Sequence, residues 1–492
     1  MSDRRPTRTL ATSDIALAIG FAAVLLLLIT ALPCQRAAAQ PTPEPATEAT
    51  APIQPWSENP RYWSYHGQPI ILLGGSDDDN LFQWPMEKLT GQLERIANAG
   101  GNVVRNTMSD RKDGGWEVYP FLQLENGKYD LKQFNPEYWQ RFENFLRLTQ
   151  EKQIFVQLEV WDRFDYTDQR ANDPQRWEKH PYNPVNNINY TAEETGLQKR
   201  YPKHPGTNDQ PFFYSTPEQK NILPLLQVQR RFVDKLLQHT LNYDHVLYCI
   251  DNETSGDPAW GKYWAMWIKQ RAQQEDKTVY VTEMWDDWDL RSGQHRHTFD
   301  HPEIYDFVDV SQNNHNRGQK HWDNFLFVRD LLEKHPRPIN TTKIYGADGN
   351  KFGHTDQDAI ERFWRHLLGG AASVRFHRPA SGLGINARAV ACLKAARLLQ
   401  KQVPIWSLQP ADHLLGQREE NECYAACSAN ENPIVLYFPA GEMRSVQLIS
   451  QVPDTTIRWL NIDTGTAQEP TPLAGKTIQP PTGFGNAVAI IR

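Results

Sequence analysis

From Trp56 onward the chain alternates short apolar stretches with amphipathic ones, and it does so eight times. The apolar stretches are "PIILLGGS" (Pro69–Ser76), "GNVVRNTMS" (Gly101–Ser109), "IFVQLEVW" (Ile154–Trp161), "HVLYCIDNE" (His245–Glu253), "TVYVTEMW" (Thr278–Trp285), "FVDVSQNN" (Phe307–Asn314), "INTTKIYG" (Ile339–Gly346) and "AASVRFHR" (Ala371–Arg378). Most of the gaps carry apolar residues at helical spacing, as in "MEKLTGQLERIANAG", "PEYWQRFENFLRLTQEK" and "DQDAIERFWRHLLGG". Strands separated by helices pair in parallel, because each helix carries the chain back to the start of the next strand. Eight such units predict a (β/α)8 barrel over residues 56–404. A doubly wound sheet fits less well, since no glycine-rich phosphate turn follows the first strand.

After "IWSLQP" (Ile405–Pro410) the helical spacing stops. Residues 405–492 hold short strand-like runs, "PIVLYFP", "SVQLISQV", "TTIRWLNI" and "NAVAIIR", separated by Gly, Pro and Asn turns. This pattern predicts a small β-sandwich. Before the barrel, Arg4, Arg5 and Arg8 precede an apolar run from Ile15 to Pro33, and Ala37-x-Ala39 follows it. Residues 1–39 therefore read as a secretory signal, with the mature chain starting at Gln40. An apolar run of about this length also suffices for an uncleaved membrane anchor. The Pro/Thr/Ala-rich stretch 40–55 reads as a tether. Export to the medium or the cell envelope is the expectation.

Of the five cysteines, Cys34 lies in the leader and Cys249 inside an apolar strand. Cys423 and Cys427 are four residues apart on a predicted strand, which places them about 13 Å from one another, too far for a disulfide. A net charge of −7 without a basic stripe argues against a nucleic-acid partner. The chain is 11% aromatic with 16 Trp, enough to fill a core and leave rings for a surface. The run "HRHTFDH" (His295–His301) lacks metal-ligand spacing, and Asp77–Asp79 lack that of a calcium loop, so neither a metal nor a cofactor is expected.

Barrel enzymes take their chemistry from the C-terminal ends of the strands. Those ends carry Asp77–Asp79, Arg105, Glu159, Asn252, Glu253, Glu283, Asp286, Asn313, His315, Thr342, Tyr345, Asp348, Arg375 and His377. Trp161, Trp260, Trp285 and Trp288 lie near the same exits. Acids beside flat aromatic faces suit sugar rings, which have apolar C–H faces and polar edges. The long connection from Phe164 to Pro224, rich in Asn, Pro, Tyr and His, reads as a wall of the cleft.

"NVVRNTMS" and "YCIDNE" resemble the second- and fourth-strand motifs of clan-A glycoside hydrolases. The tail, with "WSLQPADHLL", "CYAAC", "VLYFPAGEMRSVQLI" and "IRWLNIDTG", resembles the module called a collagen-binding domain that follows apiosidase-like barrels. The resemblance spans nearly the whole mature chain. It implies Glu253 as general acid, Asn252 as its partner on the sugar, and Arg105 as the residue that orients a nucleophile. That nucleophile should end strand seven, three residues before a Tyr; here Thr342 stands three residues before Tyr345. Three accounts stay open. Another carboxylate serves (Glu283, Asp286, Glu159 or Asp348), the barrel binds glycan without cutting it, or strand seven is shifted in register. Glu283, on the neighbouring strand five, is the substitute base expected first. Trp161, Trp285, Asn313, His315, Tyr345 and His377 are the expected substrate contacts, and a polysaccharide or oligosaccharide is the expected substrate. A membrane is a partner only if the leader stays uncleaved.

Overall fold

The computed structural model describes residues 51–108, 114–169, 173–349, 354–416, 418–419, 421–441, 445–450 and 455–492. The leader, Cys34 and all but the end of the tether lie outside the described residues. Among these residues no helix is long and apolar enough to cross a membrane.

Eight parallel strands form the central sheet: β1 (Leu72–Gly75), β2 (Val103–Thr107), β3 (Phe155–Trp161), β4 (Val246–Asp251), β5 (Val281–Thr282), β6 (Val308–Asp309), β7 (Ile339–Ile344) and β8 (Ser373–Phe376). Their ladder order is β5-β4-β3-β2-β1-β8-β7-β6. The remaining seam between β5 and β6 is bridged by Asp306 N–H to Val281 C=O at 2.9 Å and by the Thr282 hydroxyl to Phe307 C=O at 2.7 Å. A helix follows each strand: α1 (Met86–Asn98), α2 (Pro136–Glu151), α3 (Leu223–Thr240), α4 (Pro258–Gln274), α5 (Gly293–Phe299), α6 (Gly318–Leu331), α7 (Asp356–Gly369) and α8 (Ala387–Gln402). The chain is a (β/α)8 barrel followed by a β-sandwich.

The helices start where local chemistry caps them. Asn135, Asp257 and Asn386 each accept a backbone N–H from the first turn of α2, α4 and α8. Thr355 and Asp358 form a reciprocal capping box on α7. Gln54–Pro55, at the end of the stretch read as a tether, pairs with Trp63–Tyr65, which pairs in turn with Gln68–Ile70. The Trp63 indole N–H reaches Asn340 Oδ1 of β7 at 3.0 Å, and Asn340 donates to Gln157 of β3 at 3.0 Å. Gln157 donates in turn to Asp309 of β6 at 2.8 Å. This small sheet therefore plugs the end of the barrel opposite the strand exits, and a satisfied polar layer lies above it.

The connection from β3 to α3 is folded, not slack. Tyr166, Trp177, His180, Tyr182 and Phe212 pack ring against ring within it. Asn208 ties it to the β4–α4 loop by donating to Ser255 C=O at 3.0 Å.

The tail's main sheet contains Tyr424–Cys427, Ile434–Phe438, Thr456–Asn461 and Ala487–Ile491, and a three-stranded sheet lies across it. Alternate residues of the main sheet go to different cores. Leu436, Phe438, Ala489 and Ile491 face the second sheet. Tyr424, Val435, Tyr437, Val488 and Ile490 join the core of the barrel. Tyr424 meets Trp322 of α6 at 5.0 Å, and Tyr437 stacks on Trp364 of α7 at 6.0 Å. Both faces are buried, which is why "PIVLYF" is continuously apolar instead of alternating with polar residues. Cys249, Cys392, Cys423 and Cys427 are all buried free thiols.

Candidate active site

Glu253 leaves β4 in a left-handed backbone conformation, φ 55°, which a residue with a Cβ adopts only where its surroundings impose it. The surroundings here are the neighbouring strand exits. Asn252 N–H donates to Trp161 C=O, Thr254 N–H to Met284 C=O, and Asp286 N–H to Thr254 C=O. The β4 and β5 chains thus continue side by side past their ladders and present Glu253 and Asp286 from adjacent strands, which lie about 4.8 Å apart.

Three donors converge on one oxygen of Glu253. Its Oε1 accepts from Lys343 Nζ at 2.6 Å, the Tyr345 hydroxyl at 2.8 Å and Gln312 Nε2 at 2.8 Å. Among the described residues none donates to Oε2, and the side chain keeps 16% of its exposure. Burial alone would push this carboxyl up; the Lys343 ammonium and the three hydrogen bonds outweigh it and hold the group well below the usual carboxylate range. Glu253 is therefore a fixed anion with one oxygen left for the cleft. Asp286 goes the other way. Burial first, and then the neighbouring Glu253 charge, push it up to about 7.

Lys343 reaches this place because the β7–β8 pairing shifts register between Thr341 and Ile344. Such an irregularity re-aims a side chain at the end of a barrel strand. Lys343 also donates to Asn252 Oδ1, so Asn252 and Glu253 share one ammonium. Thr342, which the resemblance places at the nucleophile position, lies fully buried below the mouth. Its hydroxyl donates to Asp309 Oδ2 at 3.3 Å and its N–H to Ser311 Oγ at 2.9 Å.

The substitute carboxylates separate clearly. Glu283 does not reach the mouth: it is 1% exposed and its Oε1 accepts the N–H groups of Asp251 and Met284, both at 2.9 Å. Its other oxygen lies against Gly261 of α4, so the side chain points from the sheet toward the helix layer. Glu159 accepts from Arg105, and Asp348 exchanges hydrogen bonds with Asp356 at the start of α7. Of these four, Asp286 alone stands beside Glu253.

The expected aromatic platforms are redistributed too. Trp161 is buried among Phe212, Phe232, Trp260 and Trp264. Trp285 is buried, with its N–H on Thr298 at 2.7 Å. Trp288, two residues beyond Asp286, is 50% exposed and carries Lys320 over its ring at 4.1 Å. Asn313 is a buried turn residue whose amide donates to His321 C=O. His315 and His377 both pack on the Tyr345 ring, at 4.7 and 5.3 Å, and burial lowers the pKa of each. They line the site as neutral imidazoles.

Arg105 belongs to a second network on the other side of the mouth. It pairs with Asp79 of the β1 exit at 2.8 Å and with Glu159 of β3, all three being buried. Arg375, His377 and Arg378 also face Asp79. Burial would raise Asp79, but the arginines around it, Arg105 foremost, hold it well below its ordinary value. Among the described residues no group of three His, Cys, Asp or Glu side chains is arranged to hold a metal.

Lys343 and Gln312 are the site residues that the sequence reading missed. A lysine inside an apolar strand was the available signal for the first. Gln312 sits in a short 3-10 turn after β6, and nothing in its neighbourhood marks it.

No protein family matches the chain in sequence, and no curated protein does. Solved structures share its fold at low identity. A glycoside hydrolase superposes with a TM-score of 0.60 at 11% identity, covering 90% of this chain and 97% of its own. A family 5 glycoside hydrolase from Bacteroides vulgatus superposes at 0.59 with 12% identity, covering 90% and 94%. An α-amylase from Geobacillus thermoleovorans in complex with acarbose superposes at 0.51 with 12% identity, covering 91% and 99%.

Proposed function

We propose that this protein hydrolyses glycosidic bonds, with Asp286 as the proton donor and Glu253 as the ionised carboxylate that supports attack at the sugar. The observation that carries the reading is the convergence of Lys343, Tyr345 and Gln312 on one oxygen of Glu253. Glycoside hydrolysis needs one carboxyl protonated and its partner ionised at the same pH. Two acids whose surroundings push them apart meet that need. Glu253 is held charged, and its charge helps keep the proton on Asp286. This assigns Glu253 the ionised role instead of the acid role, and gives the acid role to Asp286 instead of a base role to Glu283. The fold shared with glycoside hydrolases agrees with the reading, and the leader pattern suits an extracellular polysaccharide as substrate.

Lys343 also favours a second reading. It puts a cation, not a carboxylate, at the end of β7 and ties it to both Asn252 and Glu253. A mouth built this way can hold a glycan without cutting it. Reducing-end release from a broad oligosaccharide panel, run beside calorimetric binding, separates the two. Cleavage with an alkaline limb near pH 7 supports hydrolysis. Saturable binding with no cleavage on any member supports the binding protein. Sequencing of protein from the native host should begin near Gln40; a start at Met1 in a membrane fraction would replace export with anchoring.

A further inference from the structure

The two chains that deliver Glu253 and Asp286 are joined one step below the mouth by a carboxyl that does not reach it. Glu283 Oε1 accepts the N–H of Asp251 and the N–H of Met284, each at 2.9 Å. Asp251 precedes Glu253 by two residues, and Met284 precedes Asp286 by two. The same oxygen therefore binds both strand ends at equal distance from the groups they present. Above it, the Thr254–Met284 and Asp286–Thr254 backbone bonds continue the link, and between them sits the left-handed Glu253. Below it, Glu283 Oε2 rests on α4 at Gly261, where an added Cβ would come to 2.4 Å from that oxygen and 3.0 Å from the Tyr305 hydroxyl.

We propose that Glu283 is a positioning residue: by holding the Asp251 and Met284 N–H groups on one oxygen it sets the separation of Glu253 and Asp286, with Gly261 providing its seat. The inference rests on the reading that those two carboxyls do the chemistry. What the device uses is an acceptor oxygen, not a charge. Burial, and then the nearby Asp251, push the Glu283 carboxyl well up. Glutamine keeps its shape and its acceptor oxygen; methionine matches the length and lacks the acceptor.

The test compares Glu283→Gln, Glu283→Met and Gly261→Ala in the full chain. One readout is the titration of the Asp286 carboxyl, followed by 13C NMR on aspartate-labelled protein and assigned with Asp286→Asn. The charged and titratable groups that face Asp286 are Glu253 of β4, Lys343 and Tyr345 of β7, Arg163 of the β3 loop and its own neighbour Asp287. Of these the Glu253 charge raises it most, so a loosened pair lets the Asp286 titration fall below about 7. The second readout is turnover. Misplacing reacting groups by about 1 Å costs on the order of 10²-fold, so Glu283→Met should lower kcat by about ten- to a hundredfold while KM stays within about twofold. Gly261→Ala should act in the same direction and carries the test if the Met variant does not fold. Glu283→Gln should keep both the titration and the turnover of the wild type. The proposal is overturned if Gln behaves like Met, which would give the carboxyl a chemical role, or if Met and Ala leave the Asp286 titration unchanged. Should the wild type cleave no glycan, the hydrolase reading falls and the NMR arm still decides the positioning role.

Discussion

The mouth of the barrel has two halves built from the same residue types, and they use them in opposite ways. On the β1–β2–β3–β8 side, Asp79 and Glu159 are locked to Arg105, with Arg375, His377 and Arg378 closing around Asp79. Asp79 and Glu159 are each spent on a cation. On the β4–β5–β6–β7 side, one ammonium serves Asn252 and Glu253 together, and Asp286 receives no hydrogen bond from a described side chain. The first half is a closed ion network; the second leaves an oxygen and a proton for a ligand. Counting acids at strand ends does not distinguish them. Counting cations per acid does.

The largest effects should fall on the open half. Glu253→Gln and Asp286→Asn should each lower turnover by about 10²–10⁴-fold, the usual cost of a missing acid or base, measured on whichever oligosaccharide the panel shows to be cleaved. Loss of turnover on Glu159→Gln alone, with both open-half variants active, would reverse the assignment. On the closed half the expected effect is on stability. Arg105→Met strands the buried Glu159 and takes the foremost cation from Asp79, and breaking a buried pair from one side costs about 3–5 kcal/mol. Denaturant titration should show that drop, and a midpoint unchanged from wild type would mean that the network is dispensable.

Much of this architecture was legible in the sequence, and the failures share a cause. The barrel could be read because each buried strand is an apolar run bounded by helical spacing. The tail could be read because strand runs there alternate with turns. What periodicity cannot report is where a strand's pleat is interrupted. The register shift in β7 brings Lys343 to the mouth, where regular alternation points to Thr342. Trp161, the last residue of β3, packs into the helices. Glu283 follows a strand only two residues long, Val281–Thr282, so its facing had no pattern to be read from. Asp286 was visible only as one of four acids, because its distinction comes from the Glu253 charge beside it and not from its own neighbours in sequence.

pH sharpens the contrast further, since the two open-half acids have opposite signs. Glu253 is lowered, so its contribution to stability is present above the ordinary Glu value of about 4.3 and is lost as pH falls through the lowered one. Asp286 is raised to about 7, so its contribution is present below the ordinary Asp value of about 3.9 and is lost as pH rises through 7. Asp286→Asn removes that second loss. The variant should melt above the wild type at pH 8 in spite of its lowered turnover, and equal melting temperatures of variant and wild type at pH 8 would contradict the raised value. Lys343→Met removes the cation that holds Glu253 down. Its turnover should then acquire an acid limb at or above about pH 4.3, absent from the wild type over the same range.

The smallest effect should come from the residue that the motif comparison made most conspicuous. If Thr342 took part in chemistry, losing its hydroxyl would cost as much as losing Glu253. The structure puts that hydroxyl below the mouth, on Asp309 Oδ2 at 3.3 Å and near Ser311 Oγ at 3.2 Å, with no exposure. Asp309 keeps other donors, the Gln157 amide at 2.8 Å and the Ser311 N–H at 2.8 Å, so it is not left bare. Thr342→Val preserves the shape and removes one buried hydrogen bond, worth about 0.5–1.5 kcal/mol. A small drop in the unfolding midpoint with kcat and KM both within about twofold of wild type is the expected result, because the lost bond supports the floor of the site and touches neither Glu253 nor Asp286. A loss of turnover on the scale of Glu253→Gln would return strand seven to the chemistry and remove the basis for assigning the acid to Asp286.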